Sequence, residues 1–325
     1  MERPINYALL TTLDISGKNL IELPFWVSEC TKLEILDCSW NKITHLCNLP
    51  PTLEKLICSS NKITNLYNLP PTLEILECSK NQLINLDNLP QTLKKLYCYN
   101  NKITHLDNLP LGLKKLNCSI NQIAYLNNLP QKLKELYCSY NKITQLDNLP
   151  KELKILYCES NQIKNLDNLQ QTLEILNCGY NQITELNNLQ QTLKELHCST
   201  NYITQLDNLP STLEILNCSG NNITHLNNLP PTLEILNCYS NKIIHLDNLP
   251  SNLKTLYCGN NKITHFNNLP QTLEILYCET NEITQFNNLP PRLEELFCKS
   301  NPLKYEFEPT IENIKNYNYQ NKLPK

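Results

Sequence analysis

Apolar residues return along this chain at fixed offsets of twenty residues. Leucine holds fourteen of fourteen positions from Leu33 to Leu293, and again from Leu36 to Leu296. A cysteine follows two residues later, from Cys38 to Cys298, and an asparagine three beyond that, from Asn41 to Asn301. Ile43 (leucine at Leu83 and Leu303), Leu46 (phenylalanine at Phe266 and Phe286), Asn48, Leu49 and Pro50 (glutamine at Gln170 and Gln190) complete the unit. The alternation Leu36-x-Cys38 has a period of two and predicts a short strand whose intervening residue faces outward. Twenty residues cannot also hold two turns and a crossover helix. Proline after Asn-Leu removes a backbone donor and pushes Leu49 toward extended geometry. The return leg is therefore expected to be extended or polyproline-like, broken by turns. Each unit makes one coil, and the coils stack their strands into a parallel sheet with roughly 4.8 Å between neighbours.

A lone coil has too few inward side chains to offset the ordering of its own backbone. Neighbours add inter-strand hydrogen bonds and cover each other's open faces, so the array is the stable unit. Its ends must then differ from its middle. Residues 1–32 are expected to cap the start, with one longer repeat over 10–32 that uses Leu10, Leu13, Ile15 and Leu20. The twenty-residue array runs over 33–303. After Leu303 the next core position is Glu306, and "PTIENIKNYNYQNKL" spaces Ile311, Ile314 and Tyr317 or Asn318 as a short amphipathic helix. Residues 304–325 therefore read as a C-terminal cap.

Leu53 to Thr72, "LEKLICSSNKITNLYNLPPT", resembles a leucine-rich repeat, LxxLxLxxNxL, with Cys58 in the third apolar place. The unit length and its Leu-Pro second half are similar to the bacterial effector subclass. The family's proline after the leucine is replaced by residues such as Asp87 and Asn127. The Asn/Ile/Lys-rich style is also similar to leucine-rich-repeat proteins of giant amoebal DNA viruses. The resemblance covers about residues 10 to 303. It implies a leucine-rich-repeat solenoid with a curved parallel β-sheet on its concave face, a mostly extended and turn-built convex side, about 15 repeats and a short C-terminal cap helix. It also implies binding of a partner protein on the concave face. For a viral protein, that partner is a host protein in the cytoplasm of the host cell.

Sixteen cysteines would suit a secreted disulfide scaffold, but fourteen of them sit at one offset, which is a pattern of architecture. Cα atoms on neighbouring strands fall within disulfide range, yet in-register parallel strands point both side chains the same way. The column reads as buried thiols filling a narrow interior, with a disulfide zipper or a metal ladder as alternatives. No CxxC spacing suggests zinc. Cys30 and Cys47 lie outside the column. The asparagine column must satisfy both amide donors and its carbonyl, so each side chain is expected to bond its own coil and the neighbouring one. The Asn48 column is expected to hold the turn before Leu-Pro. His225, His245 and His265 share an offset in three successive coils, where a shared metal or an ordinary solvated loop are the two readings.

Net charge is −3, and two arginines in 325 residues argue against a global nucleic-acid field. The N-terminus lacks a signal-peptide pattern and no run of eighteen apolar residues exists, so an intracellular, cytoplasmic protein without a membrane span is expected. No GxGxxG, GK[ST], GxSxG or HExxH motif occurs, and five glycines leave no phosphate-cradling loop. The expectation is a non-enzyme without cofactor or metal. Any message lies in the variable outward positions, where tyrosine and asparagine dominate, and both suit recognition. One group is Lys95, Tyr97, Tyr99, Lys115, Tyr137, Tyr140 and Tyr157, in a stretch (91–160) with ten lysines against five acids. His197 follows alone. The second group is Tyr239, Tyr257, Tyr277 and Phe297 beside Glu274, Glu279, Glu294 and Glu295. A protein partner on these residues is the leading reading. The alternatives are a nucleic-acid surface on the Lys/Tyr-rich repeats of 91–160, or a purely structural repeat protein.

Overall fold

The computed structural model describes residues 3–166, 169–187 and 189–322. Asn168 and Asn188 of the Asn48 column, and the two ends of the expected caps (1–2 and 323–325), lie outside the described residues. The chain divides into two compact units, Met1–Gln162 and Ile163–Lys325. In the first, the strands are β1 Thr12–Asp14, β2 Ile35–Asp37, β3 Lys55–Ile57, β4 Ile75–Glu77, β5 Lys95–Tyr97, β6 Lys115–Asn117, β7 Glu135–Tyr137 and β8 Ile155–Tyr157. In the second they run from β9 Ile175–Asn177 and β10 Glu195–His197 at the same spacing to β13 Thr255–Tyr257, β14 Ile275–Tyr277 and β15 Glu295–Phe297. Within each unit the strands are parallel, lie in chain order and pair in register, as Leu96 with Leu116 and Leu256 with Leu276. The fold is a leucine-rich-repeat solenoid.

Three-residue strands follow from the coil. Leu36 and Cys38 point inward at 0% exposure, while Ile35 and Asp37 face outward. The return legs hold turns and extended chain, as the proline corner requires. Among the described residues only the first, longer unit has a helical turn there, at Phe25–Glu29, whose Trp26 and Val27 are buried. At the other end α1, Ile311–Lys322, closes the last coil through Ile314, which is fully buried. Thr310 starts the helix by accepting the Asn313 backbone N–H on its hydroxyl at 3.2 Å. The Tyr317 ring stays exposed and packs edge-on against Tyr305.

The asparagine ladder bonds as the sequence demands. The Asn141 amide Nδ2 donates to Cys138 O of its own coil at 3.0 Å and to Cys118 O of the preceding coil at 3.1 Å. Its Oδ1 accepts the Ile123 N–H at 3.0 Å. With a further bond from Nδ2 to Ser139 O at 3.2 Å, one side chain ties two coils through four backbone groups, and the pattern repeats along each unit. The whole cysteine column is buried and every cysteine is a free thiol. Burial pushes thiols such as Cys78, Cys118 and Cys218 up to about 12. Cys30 is buried too, against the Trp26 carbonyl, whereas Cys47 is exposed.

The Asn48 column does its work through backbone conformation. Asn48, Asn68, Asn88, Asn108, Asn128, Asn148, Asn208, Asn228 and Asn248 all have φ between +55° and +63°. Asparagine tolerates that left-handed region better than other residues with a Cβ. Asn268 and Asn288, which follow Phe266 and Phe286 instead of leucine, are not among the positive-φ residues. A second left-handed column, from Trp40 to Ser300, has no sequence signature. It holds Ile120, Thr200 and Thr280 at φ +52° to +55°, and a glycine only at Gly220. Such residues resist this conformation, so the coil geometry imposes it.

Candidate functional site

Because β5 to β8 are in register, residues twenty apart become neighbours on the outward face of the first unit. Lys115 of β6 lies over the rings of both Tyr97 and Tyr137, 5.8 and 5.2 Å from their centroids. Tyr137 stacks on Tyr157 of the next strand at 5.1 Å and 25°. The Glu135 carboxylate fixes the arrangement, since it contacts the Lys115 ammonium at 2.6 Å and accepts the Tyr137 hydroxyl at 3.2 Å. The hydrogen bond from Lys115 to Glu135 raises the Lys115 pKa, so the ammonium stays charged. Burial is the main cause that raises Tyr137. The sequence group therefore becomes one connected surface along Tyr97, Lys115, Tyr137 and Tyr157.

Beside it runs a ladder of like charge. Lys114 N–H bonds Lys94 O, and Lys134 N–H bonds Lys114 O, each at 2.8 Å, so the three residues sit one strand apart. Like charges on paired positions oppose folding. Glu74 relieves Lys94 at one end, and Glu152 lies 3.9 Å from Lys134. Lys95 is exposed next to this ladder. Tyr140 is also exposed, but it makes no ring contact with the connected surface.

Sequence reasoning missed Trp40 and Lys80. Trp40 is 66% exposed in the left-handed column, and the Lys80 ammonium lies 5.6 Å from its ring and 5.9 Å from that of Tyr99. Together with Tyr97 and Ile57 they line a depression of about 260 Å³. Tyrosines at one offset were legible, but a tryptophan and a lysine forty residues apart carry no periodic signal. Another missed column is threonine. Thr72 Oγ1 donates to Leu53 O and Pro51 O of the preceding coil, both at 2.8 Å, and Thr92, Thr192, Thr212, Thr232 and Thr272 do likewise. Gly112, Lys132 and Glu152 replace threonine in three successive coils, those of the lysine-tyrosine surface.

In the second unit Tyr257 meets Tyr277 edge-on at 5.0 Å, and Tyr277 packs on Phe297 at 4.4 Å. The Tyr277 hydroxyl donates to Glu295 at 2.8 Å, and that bond raises its pKa. Tyr239 leans over Gly259, where a Cβ would come within 2.9 Å of its ring. Glycine at that position leaves room for the Tyr239 ring and the Glu279 carboxylate. His197 does not join either group, because its Nε2 faces Glu195 at 3.8 Å. His245 and His265 approach edge-on at 5.5 Å, while His225 bonds Thr224. Among the described residues no group of three or more His, Cys, Asp or Glu side chains is placed to hold a metal. No described helix is long and apolar enough to cross a membrane.

Comparison with known proteins agrees with this architecture. The family described as "Leucine Rich repeats (2 copies)" matches residues 131–171. Among solved structures, YopM from Yersinia enterocolitica is 34% identical with a TM-score of 0.81, covering 85% of this chain and 61% of that one. YopM from Yersinia pestis, described as a leucine-rich effector protein, is 32% identical with a TM-score of 0.80, covering 89% of each chain. The functional domain of InlJ from Listeria monocytogenes, which includes a cysteine ladder, is 31% identical with a TM-score of 0.76, covering 86% of this chain and 64% of that one. The chain thus spans less than two thirds of the first and third of these proteins. Comparison with curated protein sequences finds no match. With inward leucines, stacked cysteines and an asparagine ladder repeated every twenty residues, the chain belongs to the leucine-rich-repeat family.

Proposed function

We propose that this protein is a non-catalytic scaffold that binds a partner protein through the outward face of its sheet. The observation that carries the reading is the connected surface of Tyr97, Lys115, Tyr137 and Tyr157 beside the Lys94–Lys114–Lys134 ladder. Rigid aromatic rings supply contact area at small entropic cost, and the ammonium groups favour an acidic partner. The ladder opposes folding and the missing threonine clips weaken the same coils, so stability is given up where the surface is richest. Residues 1–32 and 304–325 serve as caps to the 33–303 array. The leucine-rich effector protein of Yersinia pestis is the relative that supports a role of this kind. An intracellular, cytoplasmic setting suits the sixteen free thiols.

Nucleic acid fits this surface less well. Bases stack on free ring faces, but the Tyr137 ring already has Tyr157 stacked on it and the Lys115 ammonium over it. Capture of partners by the intact protein, compared with a Tyr97→Ala, Tyr137→Ala, Tyr157→Ala variant, tests the reading. The variant should lose the partner, and retention of the same proteins by both would refute the sheet-face role. A binding constant that falls with salt by several counterions per oligonucleotide would favour nucleic acid instead.

A further inference from the structure

We propose that the free edge of β15 docks an extended, basic segment of a partner protein, which adds to the sheet as one more strand. This site has no residue in common with the Tyr97–Lys115–Tyr137–Tyr157 surface and shares Phe297, Glu294 and Glu295 with the second aromatic group. In the coil before the last, every edge group has a neighbour. Cys278 N–H donates to Phe297 O at 2.7 Å, Thr280 N–H to Lys299 O at 2.8 Å, and Glu274 O accepts the N–H groups of Glu294 and Glu295. The same groups of the last coil are Cys298 N–H, Ser300 N–H and Glu294 C=O. Among the described strands β15 pairs with β14 alone, so these groups face no strand.

No described cap residue makes a hydrogen bond to these backbone groups, although Pro309 O accepts the Cys298 thiol at 3.8 Å. Tyr305 bonds the Phe286 backbone through its hydroxyl and Asn318 Nδ2 donates to Phe286 O, so α1 is tied to the return leg of its neighbouring coil. Between β15 and the Glu308–Glu312 segment a groove of about 780 Å³ remains. Its floor is apolar, because Leu296 is partly exposed where Leu276 is fully buried, and Phe297 is 48% exposed. Its walls carry four carboxylates, Glu294, Glu295, Glu308 and Glu312, against the single ammonium of Lys299.

An unpaired strand edge accepts an added strand through main-chain bonds, and the flanking side chains choose which one. Four carboxylates repel acidic chains and favour lysine or arginine at alternate positions. A second copy is disfavoured by the same charge, since head-to-tail stacking would offer β1, whose exposed Asp14 brings a further carboxylate.

A fluorescent heptapeptide of alternating lysine and valine, titrated into the full chain by anisotropy, tests the site. It should bind, and its counterpart of alternating glutamate and valine should bind at least tenfold more weakly. Methylating the alternate amide nitrogens that would face β15 keeps the charge, and should weaken binding at least tenfold. The Glu294→Lys, Glu308→Lys variant, checked for intact folding by circular dichroism, should lose binding to a similar degree. The triple tyrosine variant should bind the peptide as the intact protein does. Equal binding of the methylated peptide would reduce the effect to charge adsorption and overturn the proposal. So would loss of binding in the triple tyrosine variant, or no binding at all. Self-association that the peptide abolishes would seat a second copy on the edge and also overturn it.

Discussion

Replacing Asn141 by alanine deletes one side chain and removes hydrogen bonds from two coils. Ile123 N–H loses its acceptor at 3.0 Å, while Cys118 O and Cys138 O each lose one donor and keep a second, from Asn121 Nδ2 at 3.0 Å and Asn161 Nδ2 at 3.1 Å. Each buried group left unsatisfied costs about 1–3 kcal/mol. Asn141 is only partly buried, so water reaches some of the site and the low end applies. One stranded donor at about 1 kcal/mol and two lost bonds to carbonyls that keep a second donor, at roughly 0.5 kcal/mol each, then give a destabilisation of about 2 kcal/mol, or roughly thirtyfold in an equilibrium constant. Lys142 is the natural control. Its side chain is exposed, and its bond to Ile123 O comes from the backbone, which alanine keeps. Lys142→Ala should change stability by about 0.5 kcal/mol or less. Because repeat arrays need not unfold in one step, a local probe is more direct than a midpoint alone. Amide hydrogen exchange at Ile123 should accelerate roughly thirtyfold in Asn141→Ala and remain unchanged in Lys142→Ala. Equal urea midpoints with unchanged exchange at Ile123 would refute the ladder.

Ile120 is exposed at φ +55°, where a β-branched residue is strained, so Ile120→Asn should stabilise the protein by about 1 kcal/mol. A lower urea midpoint would show that the side chain matters more than its backbone angle. Lys132→Thr should restore the missing clip to the preceding coil and add about 1 kcal/mol in the same assay, and it should weaken partner binding by removing a charge. Unchanged stability would mean that the threonine bonds contribute nothing net. Iodoacetamide at pH 8 should label the exposed Cys47 and leave the buried column unmodified, because burial holds those thiols protonated. Labelling of Cys118 as fast as Cys47, read by mass spectrometry, would contradict a dry interior.

Much of the fold was legible because a twenty-residue coil leaves each position few choices. Leu36 and Cys38 alternate around one outward residue, and Asn41 is a buried polar group that must find backbone partners. Those constraints are local, and they recur in every coil. The same logic found the tyrosines of the outward column, since a single offset names a single face. His197 shares that column, but its register neighbours are Asn177 and Asn217, so it extends neither aromatic group. The same logic also placed the Asn48 column at a turn, and the structure adds that those residues serve it by accepting a left-handed backbone.

The residue order alone determined the repeat length, the inward set, the ladder and the extended return legs, because each follows from the period and from what a buried group requires. Only the tertiary structure decided which outward residues act together. Trp40, Lys80 and Tyr99 come from three coils, and Lys115 bridges two tyrosines forty residues apart. The open edge at β15 belongs to the same class, since a strand lacks a neighbour only once the path of the cap is known. Stacking turns distance along the chain into contact across strands, and that conversion depends on register and rotamer, which no single coil contains.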